Sequence, residues 1–314
     1  MSLDLLWQQY RAGGTAAVRT AAPAEALDHL YLAILAFSEN DFDGALVFAQ
    51  RAAAIRPSCR VFAQAVIYLN RVVAQGKAGV YVDGEAFAAF IRGGGNVGLY
   101  AATSAALSAI YRETSALHLL DIGVGDGMAL LPALTGPLAR LDLIEPSAPM
   151  LERTTGALHT RGIPFQAANC TLQEFMARPA GQWDVMQATF SLQSVPLTDR
   201  PAVFGWMRAH SQRVLIAEFD APDFSNVYHP DRVRYVVERY ERGLAEYEGD
   251  GGIVAQGFLM PVMFGYFDPT ASRTNWEGPI SGWGDSLRAA GFDQVQTRKL
   301  FNYFWADAYL IDAR

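Results

Sequence analysis

Cysteine is nearly absent. The 314 residues hold two, Cys59 and Cys170, which excludes a disulfide scaffold and a cysteine-rich zinc site and suits a reducing compartment. Long apolar runs are missing too: none reaches the ~18 uninterrupted residues that a membrane-crossing helix needs. No basic block occurs either, because 25 Lys and Arg face 32 Asp and Glu, leaving a net charge of −7 spread along the chain. A nucleic-acid groove needs clustered cations to displace counterions, so a DNA or RNA partner is not expected. The first twenty residues carry Asp4, Arg11 and Arg19 and no continuous apolar core, so they lack a signal-peptide pattern. His29, His118, His159 and His210 share no spacing, and no metal is assigned. What is present is ample apolar material, 51% of residues against 18% charged, enough for a sizeable core. One large domain or two are expected, at ~150 residues each. The expectation is a mildly acidic, cytoplasmic protein with a small-molecule ligand and no nucleic-acid or membrane partner; a homodimer is left open.

Residues 1–112 read as an all-helical cap or lid domain. Leu27, Leu30, Ile34 and Phe37 recur at helical steps. Ser38-Glu39-Asn40-Asp41 breaks that run, and a second stripe through Phe42, Ala45, Leu46, Ala49 and Ala53 stops before Pro57. The stretch 36–57 resembles half of a tetratricopeptide repeat, but no second copy occurs, so a helical hairpin with small residues at its crossing is expected. Gly93-Gly94-Gly95 is expected to part the cap from the remainder of the chain, since three glycines hold a helix poorly. A further helix through Leu99, Tyr100, Thr103, Leu107 and Ile110 should end near Thr114-Ser115.

From Leu117 the period changes. Apolar runs of strand length lie at 117–122, 141–144, 164–167, 183–186 and 213–217, with helical stretches at about 126–136, 147–161, 171–178 and 199–211. Strands alternating with helices predict parallel βαβ units, hence an α/β doubly wound sheet over residues 113–314. The first strand runs into Asp121-Ile122-Gly123-Val124-Gly125-Asp126-Gly127. A dinucleotide fingerprint spaces its glycines G-x-G-x-x-G. Here the spacing is G-x-G-x-G, with Asp121 before it and Asp126 within it. Two carboxylates would repel a pyrophosphate, whereas Asp121 can receive an ammonium group. The ligand should carry a cationic amino-acid end.

This stretch resembles the first motif of the class I S-adenosylmethionine (SAM)-dependent methyltransferases, D-x-G-x-G-x-G, and the resemblance extends over residues 115–314. It implies a mostly parallel, seven-stranded Rossmann-like sheet, closed by a helix at 282–290 and an antiparallel hairpin from Val295 to 307–311. It implies SAM as cofactor, with Asp121, Gly123, Gly125 and Asp126 in the loop. Glu145 with Pro146 would stand at the ribose, Met150 at the ribose or adenine, and Asn169 and Cys170 at the adenine, Asn169 where many relatives have Asp. Gln187, Ala188 and Phe190, at the end of the fourth strand, would lie beside the sulfonium, and Tyr100 would reach the same crevice. The helical cap weakly resembles that of bacterial relatives of GRAS proteins.

The chemistry is less legible. Methyl transfer is an in-line displacement that positioning and desolvation can accelerate, so no unique catalytic residue is required. The Asn/Asp-Pro-Pro-Tyr/Phe sequence of amino-directed methylases is absent, and so is the lysine and acid set of metal-dependent catechol methylases. Glu218 and Asp220 end the fifth strand, and Tyr228-His229 comes later in the same connection. Glu218, Tyr228 and His229 are the catalytic candidates. Gln193, standing where many small-molecule relatives carry His, together with Asp220 and Tyr266, are the substrate candidates. The segment 222–282 exceeds a minimal connection. It holds a charged helix around 231–248, a glycine turn at 249–252 and an apolar stretch through Phe258, Met263, Phe264, Tyr266 and Phe267. It reads as a lid insertion, expected with the Gly93–Tyr100 region to form the acceptor side. The function expected is methyl transfer to a small, partly aromatic or apolar molecule. The alternatives are a SAM-consuming intramolecular cyclase or lyase on the same fold, and a SAM-binding interaction module without turnover.

Overall fold

The structure, a computed structural model, describes residues 2–77, 84–113, 117–136, 138–179, 181–250, 252–271 and 273–314. Its helices and strands run in the order α1 (Leu3–Gly13), α2 (Ala26–Ser38), α3 (Phe42–Ile55), α4 (Arg60–Gln75), α5 (Gly84–Arg92), α6 (Gly94–Tyr111), β1 (His118–Ile122), α7 (Leu130–Ala133), β2 (Arg140–Ile144), α8 (Ala148–Thr160), β3 (Gln166–Ala168), α9 (Leu172–Met176), β4 (Trp183–Thr189), α10 (Arg200–His210), β5 (Ser211–Phe219), α11 (Pro230–Ala245), α12 (Met260–Gly265), α13 (Ile280–Ala289), β6 (Val295–Asn302) and β7 (Asp307–Ala313). None of the described helices is long and apolar enough to cross a membrane. The chain divides into two compact units: Met1–Val97 with Phe224–Ser272, and Gly98–Asp223 with Arg273–Arg314.

The first unit is helical. The apolar stripe of α2 predicts one buried face, yet every residue from Asp28 to Phe37 is buried. The reason is crowding from several sides: α1 and α3 pack on it, and Phe37 meets the rings of Tyr68 and Phe264 at 6.2 and 4.9 Å. The break after α2 is built by Asn40, which takes a left-handed conformation (φ 63°), and by Asp41, whose Oδ1 accepts from the Gly44 amide at 3.0 Å to cap α3. Ala45, Ala49 and Ala52 are fully buried, the small-residue face expected of this hairpin. Helix α4 borrows its cap from α11. The Glu241 carboxylate accepts from the amides of Arg60 and Val61 and from the Cys59 thiol, at 3.1, 3.0 and 3.2 Å.

The triple glycine breaks the helix at one residue only. Gly93 is the bend, and Gly94 and Gly95 already belong to α6. Gly94 has φ +49°, and a Cβ there would stand 2.7 Å from the Tyr247 ring, so only glycine fits. Helix α6 ends at Tyr111, and Arg112 and Glu113 form a turn, so it stops before the end expected near 114–115, which itself lies outside the described residues.

The second unit is the doubly wound sheet. Its order is β3-β2-β1-β4-β5-β7-β6, and β7 alone runs antiparallel, between β5 and β6. This is the Rossmann-like seven-stranded sheet that the resemblance implies. Alternation along each strand feeds two apolar layers. Leu119, Leu141, Leu143, Val185 and Leu215 pack on one face with Leu107 and Ile110 of α6. Leu120, Ile122, Met186, Val214 and Ile216 pack on the other with Phe204 of α10 and Leu287 of α13. Several expected boundaries shift by a few residues, and two of the shifts have a clear local cause. The third strand begins at Gln166, two residues past Pro164, which has no amide hydrogen for the ladder. The first crossover helix shrinks from 126–136 to Leu130–Ala133, because the loop keeps positive φ as far as Gly127 (+79°).

Candidate functional site

The site grows from the carboxyl end of β1. Gly123, Gly125 and Gly127 all have positive φ, at +71°, +58° and +79°, and two of them need glycine for a steric reason as well. A Cβ on Gly123 would meet Ser191 at 2.5 Å, and one on Gly127 would meet Leu131 at 2.7 Å. A Cβ on Gly125 would meet nothing within 4 Å. The outer two glycines serve packing, while the middle one faces open space, where a ligand can approach the backbone. Neighbouring groups fix the loop: the amides of Gly123 and Val124 donate to the Ile144 carbonyl at 2.8 and 3.2 Å, and the Thr154 hydroxyl donates to the Gly125 carbonyl at 2.8 Å.

Asp121 lies at the end of β1, 1% exposed, and the parallel register puts Gln187 of β4 beside it. The Gln187 Nε2 donates to Asp121 Oδ2 at 2.6 Å, whereas Asp121 Oδ1 is buried without a partner among the described residues. Burial pushes this carboxyl up to about 7, with the Gln187 bond pulling down and the Glu145 charge pushing up. Glu145, at the end of β2, is buried as well. Its Oε2 accepts from the Gly125 amide at 2.9 Å and its Oε1 from the Ser147 amide at 2.8 Å. Asn169 is exposed after β3 and donates through Nδ2 to the carbonyls of Glu145 and Pro146, at 2.9 and 3.0 Å. Met150 lies half-buried in the first turn of α8. Cys170 and Ala188 point elsewhere, into the apolar layer with Leu172, Trp183 and Met186.

At the end of β4, Phe190 takes φ +54°, uncommon for a residue with a Cβ and costing ~1–2 kcal/mol. Its ring joins a row of aromatics. Tyr100 stands edge-on at 6.1 Å, Phe219 stacks at 4.8 Å, Tyr303 stacks on Phe219 at 5.2 Å, and Phe304 lies next at 4.7 Å. The Tyr100 phenol is pushed up to about 12, chiefly by burial and further by Asp126. The glycine-rich loop, Glu145, Asn169, Tyr100, Gln187 and Phe190 thus all belong to the second unit.

Glu218, 1% exposed, accepts from the Gln193 amide at 3.0 Å and so braces the turn Leu192–Ser194 after β4. Gln193 donates through Nε2 to the Phe190 carbonyl at 3.1 Å, and its Oε1 is buried without a partner. Burial pushes the Glu218 carboxyl up to about 8, against the pull of the Gln193 amide. The folded chain therefore keeps a proton there that the unfolded chain has already released, from the ordinary glutamate range up to that value. Stability contributed at this site falls as pH rises through the window, and Asp121 acts with the same sign. Glu218→Gln is expected to lessen the loss of unfolding free energy between about pH 5 and about pH 8, measured by urea titration. An unchanged pH slope would place the excess proton elsewhere.

The other candidates are held in structural contacts. Asp220 accepts through Oδ1 from the Ile280 amide at 2.9 Å, at the start of α13. Tyr228, His229 and Tyr266 belong to the first unit. Tyr228 is buried and donates to the Phe267 carbonyl at 3.0 Å. His229 caps α11 by accepting from the Asp231 amide at 3.2 Å, with Trp7 edge-on at 5.7 Å. Tyr266 is half-buried, edge-on to Tyr240 at 6.4 Å. Sequence reasoning missed Ser191, whose hydroxyl donates to the Ile122 carbonyl at 2.7 Å, as well as Thr154 and Tyr111, whose hydroxyl donates to Gln187. None of these three stands in a motif; register and helix packing bring them to the loop.

No protein-family model matches the sequence, and no curated protein matches it. Solved structures do resemble the fold. Magnesium protoporphyrin IX methyltransferase from Synechocystis PCC 6803 with bound SAM aligns over 80% of this chain and 95% of its own, at 10% identity and a TM-score of 0.47. The 1,6-didemethyltoxoflavin-N1-methyltransferase of Burkholderia thailandensis, with 1,6-didemethyltoxoflavin and S-adenosylhomocysteine bound, aligns over 69% of this chain and 77% of its own, at 15% identity and a TM-score of 0.46. At such identities no residue role passes from either protein to this chain.

Proposed function

We propose that the chain is a SAM-dependent methyltransferase acting on a small, partly aromatic or apolar molecule. One observation carries the reading: near the end of β1 a buried carboxylate oxygen, Asp121 Oδ1, lacks a partner among the described residues, and the loop that follows holds a glycine, Gly125, whose Cβ direction is open. An unpartnered buried acceptor is costly unless a donor arrives, and an α-ammonium group supplies one. The rest of the loop fits the same ligand. Each Glu145 oxygen accepts one backbone amide and retains a second lone pair for a ribose hydroxyl. The exposed Asn169 amide suits an adenine edge.

When bound, SAM supplies an activated methyl group on a sulfonium. The chain's own part is to hold and to exclude water. Asp121 orients the amino-acid end, Gly125 admits the ligand close to the backbone, and Glu145 fixes the ribose. The row Tyr100, Phe190, Phe219, Tyr303 and Phe304 supports a flat apolar acceptor, since stacked rings favour offset packing of another π face. It includes the last residue of β5, Phe219, and the residue after β4, Phe190, at the strand ends where open α/β sheets bind ligands.

Calorimetry with SAM and with S-adenosylhomocysteine tests the reading, and both are expected to bind. Glu145→Gln should weaken SAM by roughly 1–3 kcal/mol, because its amide nitrogen would face either the Gly125 or the Ser147 N–H. No binding by the parent chain, or undiminished binding by the variant, would contradict the assignment. Incubation with SAM alone separates the cyclase or lyase alternative, which would release methylthioadenosine promptly; the methyltransferase should produce S-adenosylhomocysteine only when an acceptor is supplied.

A further inference from the structure

Tyr111 closes α6 in the interior of the second unit, 7% exposed. Its hydroxyl donates to Gln187 Oε1, the Gln187 Nε2 donates to Asp121 Oδ2 at 2.6 Å, and Asp121 Oδ1 is left without a partner. Three elements, α6, β4 and β1, thus contribute one buried chain of polar groups that ends at the unpartnered oxygen.

An amide has a donor end and an acceptor end, so this chain has a direction. In the observed arrangement, the phenol proton has an acceptor and the carboxylate has a donor. Turned over, the amide would offer its oxygen to Asp121, which suits only the protonated acid, and its NH2 to the phenol oxygen. The phenol proton would then lose its acceptor in a buried setting, a cost of ~1–3 kcal/mol. The phenol therefore selects the amide orientation that suits ionised Asp121.

We propose that Tyr111, acting through Gln187, is a positioning residue that holds Asp121 ionised for the cationic amino-acid end of the ligand; this rests on reading the loop as a SAM site. Burial opposes it, pushing Asp121 up to about 7, and Glu145 at the end of β2 adds to that push. The Tyr111 phenol is itself raised well above its ordinary value, by burial and then by the Asp121 charge, so it remains a donor. Among the described residues, Tyr111 on α6 and Glu145 at the end of β2 are the titratable groups coupled to Asp121; β4 offers the uncharged Gln187.

The test uses the full chain with Tyr111→Phe, which keeps the ring and removes the donor. Carbon-13 NMR of the Asp121 carboxyl, without ligand, should show its titration midpoint rising by about one pH unit relative to the parent. Calorimetry with SAM should give a variant-to-parent Kd ratio near one at about pH 8.5, climbing towards about tenfold at about pH 5.5. The ligand's own amine titrates equally in both experiments and cancels in the ratio. Gln187→Leu should also raise the midpoint, giving a second variant if the first folds poorly. An unchanged midpoint, or a Kd ratio independent of pH, would overturn the proposal, since a merely structural loss weakens binding equally at every pH. A shifted midpoint in a chain that binds no SAM would uphold the relay and overturn the SAM reading instead.

Discussion

Alanine at position 121 is expected to abolish measurable SAM binding while leaving the circular dichroism spectrum unchanged. The side chain is 1% exposed and its free oxygen faces no donor among the described residues, so its removal does not unpair a fold-holding salt bridge. The fold loses one bond, from Gln187, worth ~1 kcal/mol. The ligand loses a charge partner in a desolvated site, where truncating one member of a pair costs ~2–5 kcal/mol, at least about thirtyfold in Kd. Gly125→Val should act as severely by another route. Its backbone stands at φ +58°, where a β-branched residue is strained, and its Cβ direction is the open one. Parent-like affinity in both variants, measured by calorimetry, would remove the loop from the binding site.

The largest effect on stability is expected from Phe264→Ala. Phe264 is fully buried in the first unit, 4.9 Å from the Phe37 ring and 5.1 Å from that of Tyr68. Deleting such a ring leaves a cavity that rigid helices cannot close, at ~3–5 kcal/mol. Urea titration followed by near-ultraviolet circular dichroism should show the loss. A change below ~1 kcal/mol would mean that the segment after β5 adds little to the core between α2 and α4.

The parts of this architecture that obey a local rule were legible in the sequence. Asp121 and the spaced glycines announce a strand, a left-handed loop and a ligand, because positive φ at Gly123, Gly125 and Gly127 has a composition signature. The alternation of apolar runs and helical stripes announces the sheet. The illegible parts depend on partners distant in the chain. Gln187 meets Asp121 only because β4 lies beside β1 in that register. Tyr111 stands in no motif, and only the packing of α6 delivers its hydroxyl to Gln187. His229 before a proline reads as a base in a loop, but the same dipeptide starts a helix, and the ring caps it. Glu218, read as the end of a strand at a crevice, is instead buried against the next turn.

The division of the chain also sets an order of completion during synthesis. The first unit draws on residues up to Val97 and then on Phe224–Ser272, with most of the sheet emerging between them. Until the later segment leaves the ribosome, Phe37 and Tyr68 lack the ring that covers them, and helix α4 lacks the carboxylate that caps it. The sheet is likewise unfinished until Asp307–Ala313 arrives, because β7 occupies the place between β5 and β6. Neither unit can reach its native core from an amino-terminal fragment. Until those segments emerge, the nascent chain must carry unsatisfied apolar faces, a state in which aggregation competes with folding. A release of either half by proteolysis or truncation should therefore yield insoluble material rather than a stable domain.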